Sequence, residues 1–312
     1  MPASDPTDPM ATMQGQSVAL LTCSMAADLD LFALLAASVD RHVDPVIRHD
    51  VVVPAADLAA FRRFETRQRR IIAQEDVLPE RLYRLPPGLR RLASIRQVFR
   101  RPLYLSPKGR LVRGWMVQQC LKIGMSCASE ETAIIHVDSD VAFFRRFAPE
   151  QVFDGPQTRF FRAQGATRNP MHGPWLQAAA EFLGCAVPDG HQEHYIENCV
   201  IWDTRVARAM VAQIEAVHGR PLHEVIFAAQ TMSEYYLYGL FAAQFPPGTT
   251  LAAQDVSLCN SFWPSDETAP VDFDRLRAKS HPQHRALAIQ STHAVTLEER
   301  AALYARAARE LA

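Results

Sequence analysis

The sequence predicts an α/β fold: a mixed, mainly parallel sheet flanked by helices, with a basic helical insertion. Three observations carry this. Short apolar runs alternate with helical spacings through the first half. Several of these runs are apolar at nearly every position, as strands covered on both faces are. Turn-rich segments then bracket an arginine-rich block that interrupts the alternation.

Taken in order, Val18-Ala19-Leu20-Leu21-Thr22-Cys23 reads as a strand ending at Ser24, and Asp28 to Val39 as a helix. Asp50-Val51-Val52-Val53 before Pro54 is a second strand, Asp57 to Phe64 a short helix, and Arg70-Ile71-Ile72-Ala73 a third strand. Pro86-Pro87-Gly88 and Ser106-Pro107-Lys108-Gly109 bracket the insertion. Inside it Leu89, Leu92, Ile95 and Phe99 recur at helical spacing among Arg90, Arg91, Arg96, Arg100 and Arg101, a basic amphipathic helix over 88–103. A helix from Gly114 to Gly124 resumes the pattern, with Gln118 and Lys122 on one face. Thr132-Ala133-Ile134-Ile135 leads a strand into Asp138, and Val141-Ala142-Phe143-Phe144 returns the chain to apolar cover. Arg159 to Arg162 and Cys199 to Trp202 are further strands. Asp203-Thr204 caps a helix through His218, and Thr231 to Gln244 forms another that bears Tyr235, Tyr236 and Tyr238. The chain closes with Ala288 to His293 and a helix from Thr296, with Glu299 at the capping-box position.

An apolar content of 48% over 312 residues is ample for a core. Residues 1–15, rich in Pro and Asp with no apolar stretch, read as a flexible tail ahead of a single domain over 16–312. No run of about 18 apolar residues exists, so no membrane span is expected. Six cysteines without a Cys-x-x-Cys pairing are read as reduced thiols of a cytoplasmic protein. The net charge of −1 conceals an asymmetry, because residues 62–113 carry fifteen Lys or Arg against four acids. Such a surface suits an anionic glycan or the inner face of a membrane. Nucleic acid is not expected, since the block lacks an aromatic-interleaved stacking pattern.

The chemistry concentrates at His136-Val137-Asp138-Ser139-Asp140. Two carboxylates one residue apart at a strand tip can share a divalent cation, and hard oxygen ligands suit Mg²⁺ or Mn²⁺. Two further Asp-x-Asp pairs act as internal controls. Asp28 and Asp30 stand where a helix opens, and Asp272 and Asp274 stand in a loop before a short helix. Only Asp138 and Asp140 end an apolar strand. His136 alternates onto the same side of that strand as Asp138 and is read as a strand histidine.

These residues resemble a GT-A type glycosyltransferase and, more closely, a family of bacterial GT-A-like proteins of largely uncharacterised activity. The likeness is carried by Val18 to Ser24, Trp115-Met116-Val117-Gln118-Gln119 with Lys122, His136 to Asp140, Glu197-Asn198, Ser233-Glu234-Tyr235 with Tyr238-Gly239, and Ser291-Thr292-His293. It spans residues 16 to about 300 and implies a nucleotide-sugar part over 16–147 and an acceptor-side part over 148–312. It further implies Mn²⁺ or Mg²⁺ on Asp138, Asp140 and His293, bridging the diphosphate of a nucleotide sugar, with UDP the first expectation. Thr22, Cys23, Ser24, Asp138 and Ser139 would border the nucleotide, and Gln118 and Lys122 would reach the diphosphate or donor sugar. The acceptor would be a bacterial glycan or a lipid-linked sugar, with peripheral membrane contact through 88–103.

If the reaction inverts the anomeric centre, Glu234 is the first candidate base, with Glu197 and Asp203 next. Asp203 also reads as an N-cap. The three tyrosines either stack on sugar rings or pack their helix. A retaining reaction would need no such base. Two other readings stay open: a nucleotidyltransferase-like enzyme, and a non-enzymatic module that uses its basic helix on anionic lipid or polymer. Against the former, Ser24-Met25-Ala26-Ala27 is not a Gly-rich loop. The absence of a Walker or dinucleotide glycine motif argues against a kinase, an ATPase or an NAD enzyme.

Overall fold

The computed structural model describes residues 15–86, 102–165, 170–245, 251–263 and 270–312. Its centre is a five-stranded sheet of β1 (Val18–Cys23), β2 (Arg48–Val53), β3 (Arg69–Ala73), β4 (Ala133–Val137) and β5 (Cys199–Asp203), in the order β5-β4-β1-β2-β3. The first four strands run parallel, and β5 is antiparallel to β4. The mixed, mainly parallel sheet expected from the sequence is therefore present.

Alternation along each strand divides the core in two. Ala19, Leu21, Ile134, Val200 and Trp202 face one side, packed with the helices α1 (Gly114–Ala128), α2 (His172–Leu183), α3 (Thr204–His218) and α4 (Glu234–Gln244). Val18, Leu20, Ala133, Ile135, Val137 and Ile201 face the other, against the helix Leu29–His42. Each fully buried Leu or Ile of these strands stabilises the fold by roughly 1.5–3 kcal/mol. The largest fully buried side chain, Trp202, stacks on Tyr238 at 4.4 Å and meets the edge of His136 at 4.5 Å. Tyr238 in turn accepts a hydrogen bond from the Asp203 backbone, tying α4 to the end of β5.

In a second, three-stranded sheet of Cys259–Phe262, Ala286–Ile289 and Val141–Phe143, the last strand directly follows the Asp-x-Asp motif in the chain. This sheet brings the C-terminal segment onto that motif: Ser291 N–H donates to Asp140 Oδ2 and Tyr304 OH donates to the Asp140 carbonyl. The closing helix Leu297–Glu310 begins with the expected Thr296/Glu299 capping box.

Three expectations need correction. The tyrosine helix begins at Glu234 rather than Thr231, because the Ser233 side chain caps it by accepting from the Tyr236 backbone. A helix over Leu222–Ala228, starting after Pro221, was not anticipated. Asp28 sits at the start of its helix but makes no capping side-chain bond. By contrast Asp203 does cap α3, accepting from the Arg205 and Val206 backbones. Asp272 caps Phe273–Ala278. Most of the 88–103 segment lies outside the described residues, as do residues 1–14 of the tail. Among the described residues no helix is long and apolar enough to cross a membrane.

Candidate functional site

From β1 the chain steps outward through β2 and β3, then returns across β1 to place β4 on its other side. Strand order thus reverses between β1 and β4. In open α/β sheets the crevice beyond the carboxyl ends of the strands at such a reversal is where ligands bind. Ser24 follows β1 and Asp138-Ser139-Asp140 follows β4, and Ser139 Oγ donates to Ser24 Oγ at 2.8 Å. The motif therefore stands at the switch point itself.

Behind it lies a buried charged cluster. Lys122, from the middle of α1, donates to Asp138 Oδ1 at 3.1 Å, Glu234 Oε1 at 3.0 Å and the Tyr235 hydroxyl at 2.9 Å. Burial works against the ammonium, but Asp138, Tyr235 and Glu234 outweigh it and hold the lysine well above its usual pKa. Lys122 is a permanent cation here. Gln119, one turn earlier, accepts from the Glu234 N–H at 2.8 Å and so fixes the start of α4 against α1. Gln118 is only half-buried, and its neighbour Gln119 makes the contact to α4. The carboxylates differ in access: the Glu234 side chain is 5% exposed and the Asp138 side chain 31%.

Asp140 points to the other side of the motif. Its Oδ2 takes the Ser291 N–H at 2.7 Å, while its Oδ1 is buried with no partner. Burial, and then the Asp138 charge, push its carboxyl up to about 7. His293, in the turn after Ser291, likewise has a buried Nε2 with no partner, and its ring is held by a backbone hydrogen bond with Phe262. Buried polar atoms left without partners carry a cost of about 1–3 kcal/mol each. A carboxylate oxygen and an imidazole nitrogen with free lone pairs, the imidazole oriented through its other contact, are a donor set suited to a divalent cation. No group of three or more His, Cys, Asp or Glu side chains among the described residues is drawn together closely enough to hold an ion alone. The protein donors fit an ion only if a ligand's oxygens complete its shell, which is how Mg²⁺ and Mn²⁺ commonly bind with phosphates.

Other anticipated residues fall elsewhere. Thr22 is fully buried and its hydroxyl is taken by His49 at 3.0 Å, away from the crevice. The Cys23 thiol is pushed up to about 12, first by burial, which makes it a packing group. Glu197 accepts from Ser261 Oγ and from the Asn198 N–H, beside the crevice rather than in the Lys122 cluster. His136 is buried against Ser126 and Trp202, with its pKa driven well below the usual value first by burial and then by Lys122. Tyr235, Tyr236 and Tyr238 are all buried, so they pack α4 rather than present faces to a ligand. Half-buried rings do gather between the first turns of α1 and α2: Trp115 lies 5.8 Å from Trp175, which lies 5.6 Å from His172. Of these, the sequence points to Trp115 alone, because α2 and its rings come from a part of the chain with no local motif.

A model of the family of unknown function DUF6492 matches residues 17–305. The chain belongs to that family. No curated protein matches it. In structure this DUF6492 chain is similar to the galactosyltransferase LgtC in complex with donor and acceptor sugar analogues, at 15% identity and a TM-score of 0.46, over 92% of this chain and 95% of that one. It is also similar to the apo form of mouse xyloside xylosyltransferase 1, at 10% identity and a TM-score of 0.48, over 90% and 100% of the two chains. The chemistry of the DUF6492 site has to be read from its own residues.

Proposed function

We propose that this DUF6492 protein is a metal-dependent glycosyltransferase that moves a sugar from a nucleotide donor, UDP first, to a glycan or lipid-linked acceptor. The observation that carries this reading is that two buried atoms lack partners, Asp140 Oδ1 at the switch point of the sheet and His293 Nε2 two residues after Ser291, whose N–H binds Asp140. Asp140, His293 and the free oxygen of Asp138 would hold Mn²⁺ or Mg²⁺. Bound there, such an ion supplies positive charge to a departing diphosphate.

The chain's own residues do the rest. Ser24 and Ser139 border the crevice between β1 and β4 where a nucleotide would lie. Lys122 holds Asp138 in place and keeps the local field from becoming too negative for a diphosphate. Glu234, locked on Lys122 and nearly inaccessible, acts in this reading as a positioning carboxylate. Glu197, half-buried on Ser261, is then the better placed of the two glutamates to take a proton from an acceptor hydroxyl. The Trp115, Trp175 and His172 rings offer flat apolar faces for sugar stacking.

Calorimetry of UDP binding with and without Mn²⁺ tests the assignment. Binding should require the metal and weaken by roughly a hundredfold or more in Asp140→Ala, about 2.7 kcal/mol. Equal heats for wild type and Asp140→Ala would refute the site.

A further inference from the structure

Among the described residues seven large apolar side chains stand exposed, and three of them fall in one row. Tyr83, Leu105 and Leu111 belong to a small antiparallel sheet of Tyr83–Arg84, Leu103–Leu105 and Leu111–Arg113. Tyr83 is paired directly with Leu105, and Leu105 with Leu111. Side chains directly opposite on an antiparallel sheet share a face about 5 Å apart, so the three form a continuous ridge. They are 52%, 36% and 50% exposed. Leu82, Tyr104 and Val112 of the same segment are buried in the main core, which anchors the sheet and keeps the ridge outward.

Cations surround the ridge. Arg81, Lys108 and Arg110 are exposed, and the Arg81 guanidinium lies 5.3 Å from the centre of the Tyr83 ring. Lys108 and Arg110 stand on a tight hairpin tip, where Gly109 adopts φ +74° and Ser106 N–H closes the turn onto the Arg110 carbonyl. Of these cations Lys108 is paired, with Glu224. By sequence, residues 81–113 hold ten Arg or Lys and no Asp or Glu.

We propose that this ridge docks the protein on an anionic lipid bilayer, with Tyr83, Leu105 and Leu111 entering the interfacial layer and the surrounding arginines meeting lipid phosphates. A soluble polyanion would use the cations and leave the apolar row without a role. A bilayer surface takes both, since it offers anionic headgroups above an apolar layer. Tyrosine and arginine suit that boundary because each joins an apolar body to a polar end. Docking of this kind is independent of the reaction carried out at the edge of the main sheet.

Co-sedimentation of the full chain with phosphatidylcholine vesicles, with and without 30 mol% phosphatidylglycerol (about the level that makes a surface strongly anionic), tests this. Wild-type protein should partition onto the anionic vesicles roughly a hundredfold more than onto neutral ones, at about fivefold per cation, and lose most of that in high salt. Leu105→Ser with Leu111→Ser should weaken partitioning about tenfold, and Arg81→Ser with Arg110→Ser about fivefold for each arginine removed. All four side chains are exposed, and the two double variants are independent, so either one decides if the other misfolds. No partitioning onto anionic vesicles, or partitioning unchanged by loss of the two leucines, would overturn the proposal. In the second case the surface would be one for soluble polyanions.

Discussion

Two buried cations sit on opposite faces of the same sheet, and their surroundings differ. Arg69, the first residue of β3, gives its donors to His49 Nδ1, both Asp40 oxygens and the carbonyls of Ala36 and Phe64. His49 passes the chain on, donating from Nε2 to Thr22. Every acceptor in that network belongs to the fold. Lys122 has three protein partners, but one of them, Asp138, is partly open to solvent and its charge acts on Asp140, whose Oδ1 has no partner. A buried charge by itself therefore marks nothing functional. A buried charge next to lone pairs that the fold leaves unused marks a place kept for something else.

This contrast can be broken in three ways. The largest effect is expected from Arg69→Met, which strips His49 and two carbonyls of their donor at once. Urea denaturation should show a loss of about 3 kcal/mol, while metal-dependent UDP binding by the folded fraction stays within about twofold of wild type, roughly 0.4 kcal/mol. If binding fell instead, the two networks would not be separate.

Lys122→Met combined with Glu234→Gln removes both charges of a buried pair. Stability should then change by only about 1 kcal/mol, whereas UDP binding should weaken roughly tenfold, because Asp138 loses its anchor. A large loss of stability with unchanged binding would make Lys122 the structural cation after all.

A third effect, comparable to the second, is in pH. Burial, with Arg69 second, holds the His49 pKa well below its usual value, so His49 stays neutral in the fold while the unfolded chain binds a proton below about pH 6.5. Stability is thus present above pH 6.5 and falls as the pH drops below it. Between pH 7 and 5 this histidine should account for about 1–2 kcal/mol. Unfolding midpoints at the two pH values should draw closer in His49→Gln, and an unaltered pH dependence would show that His49 does not titrate on unfolding.

Much of the fold was legible locally. The central strands β1 and β4 announce themselves because both faces are covered, and Asp203 and Thr296 mark helix starts through their own side chains. The start of α4 was not legible. Thr231 and Met232 continue the helical pattern, and what ends it is the Ser233 cap together with Gln119, which takes the Glu234 N–H from 115 residues away. The antiparallel direction of β5 was equally hidden, since an apolar run reads the same in both directions. At the site, Asp138 and Asp140 were identifiable from the strand behind them. Thr22 and the tyrosines were not separable from true ligand contacts, because burial depends on what the rest of the chain packs against them.

By itself the sequence determined the strands, the helix caps and the one Asp-x-Asp pair with a strand behind it, because each depends on side chains within a few residues of one another. Only the tertiary structure decided that Lys122 faces Asp138 and Glu234, that Ser291 closes onto Asp140, and that Tyr83, Leu105 and Leu111 share a row. Those are meetings of distant segments, set by strand order and sheet packing, which no local pattern encodes.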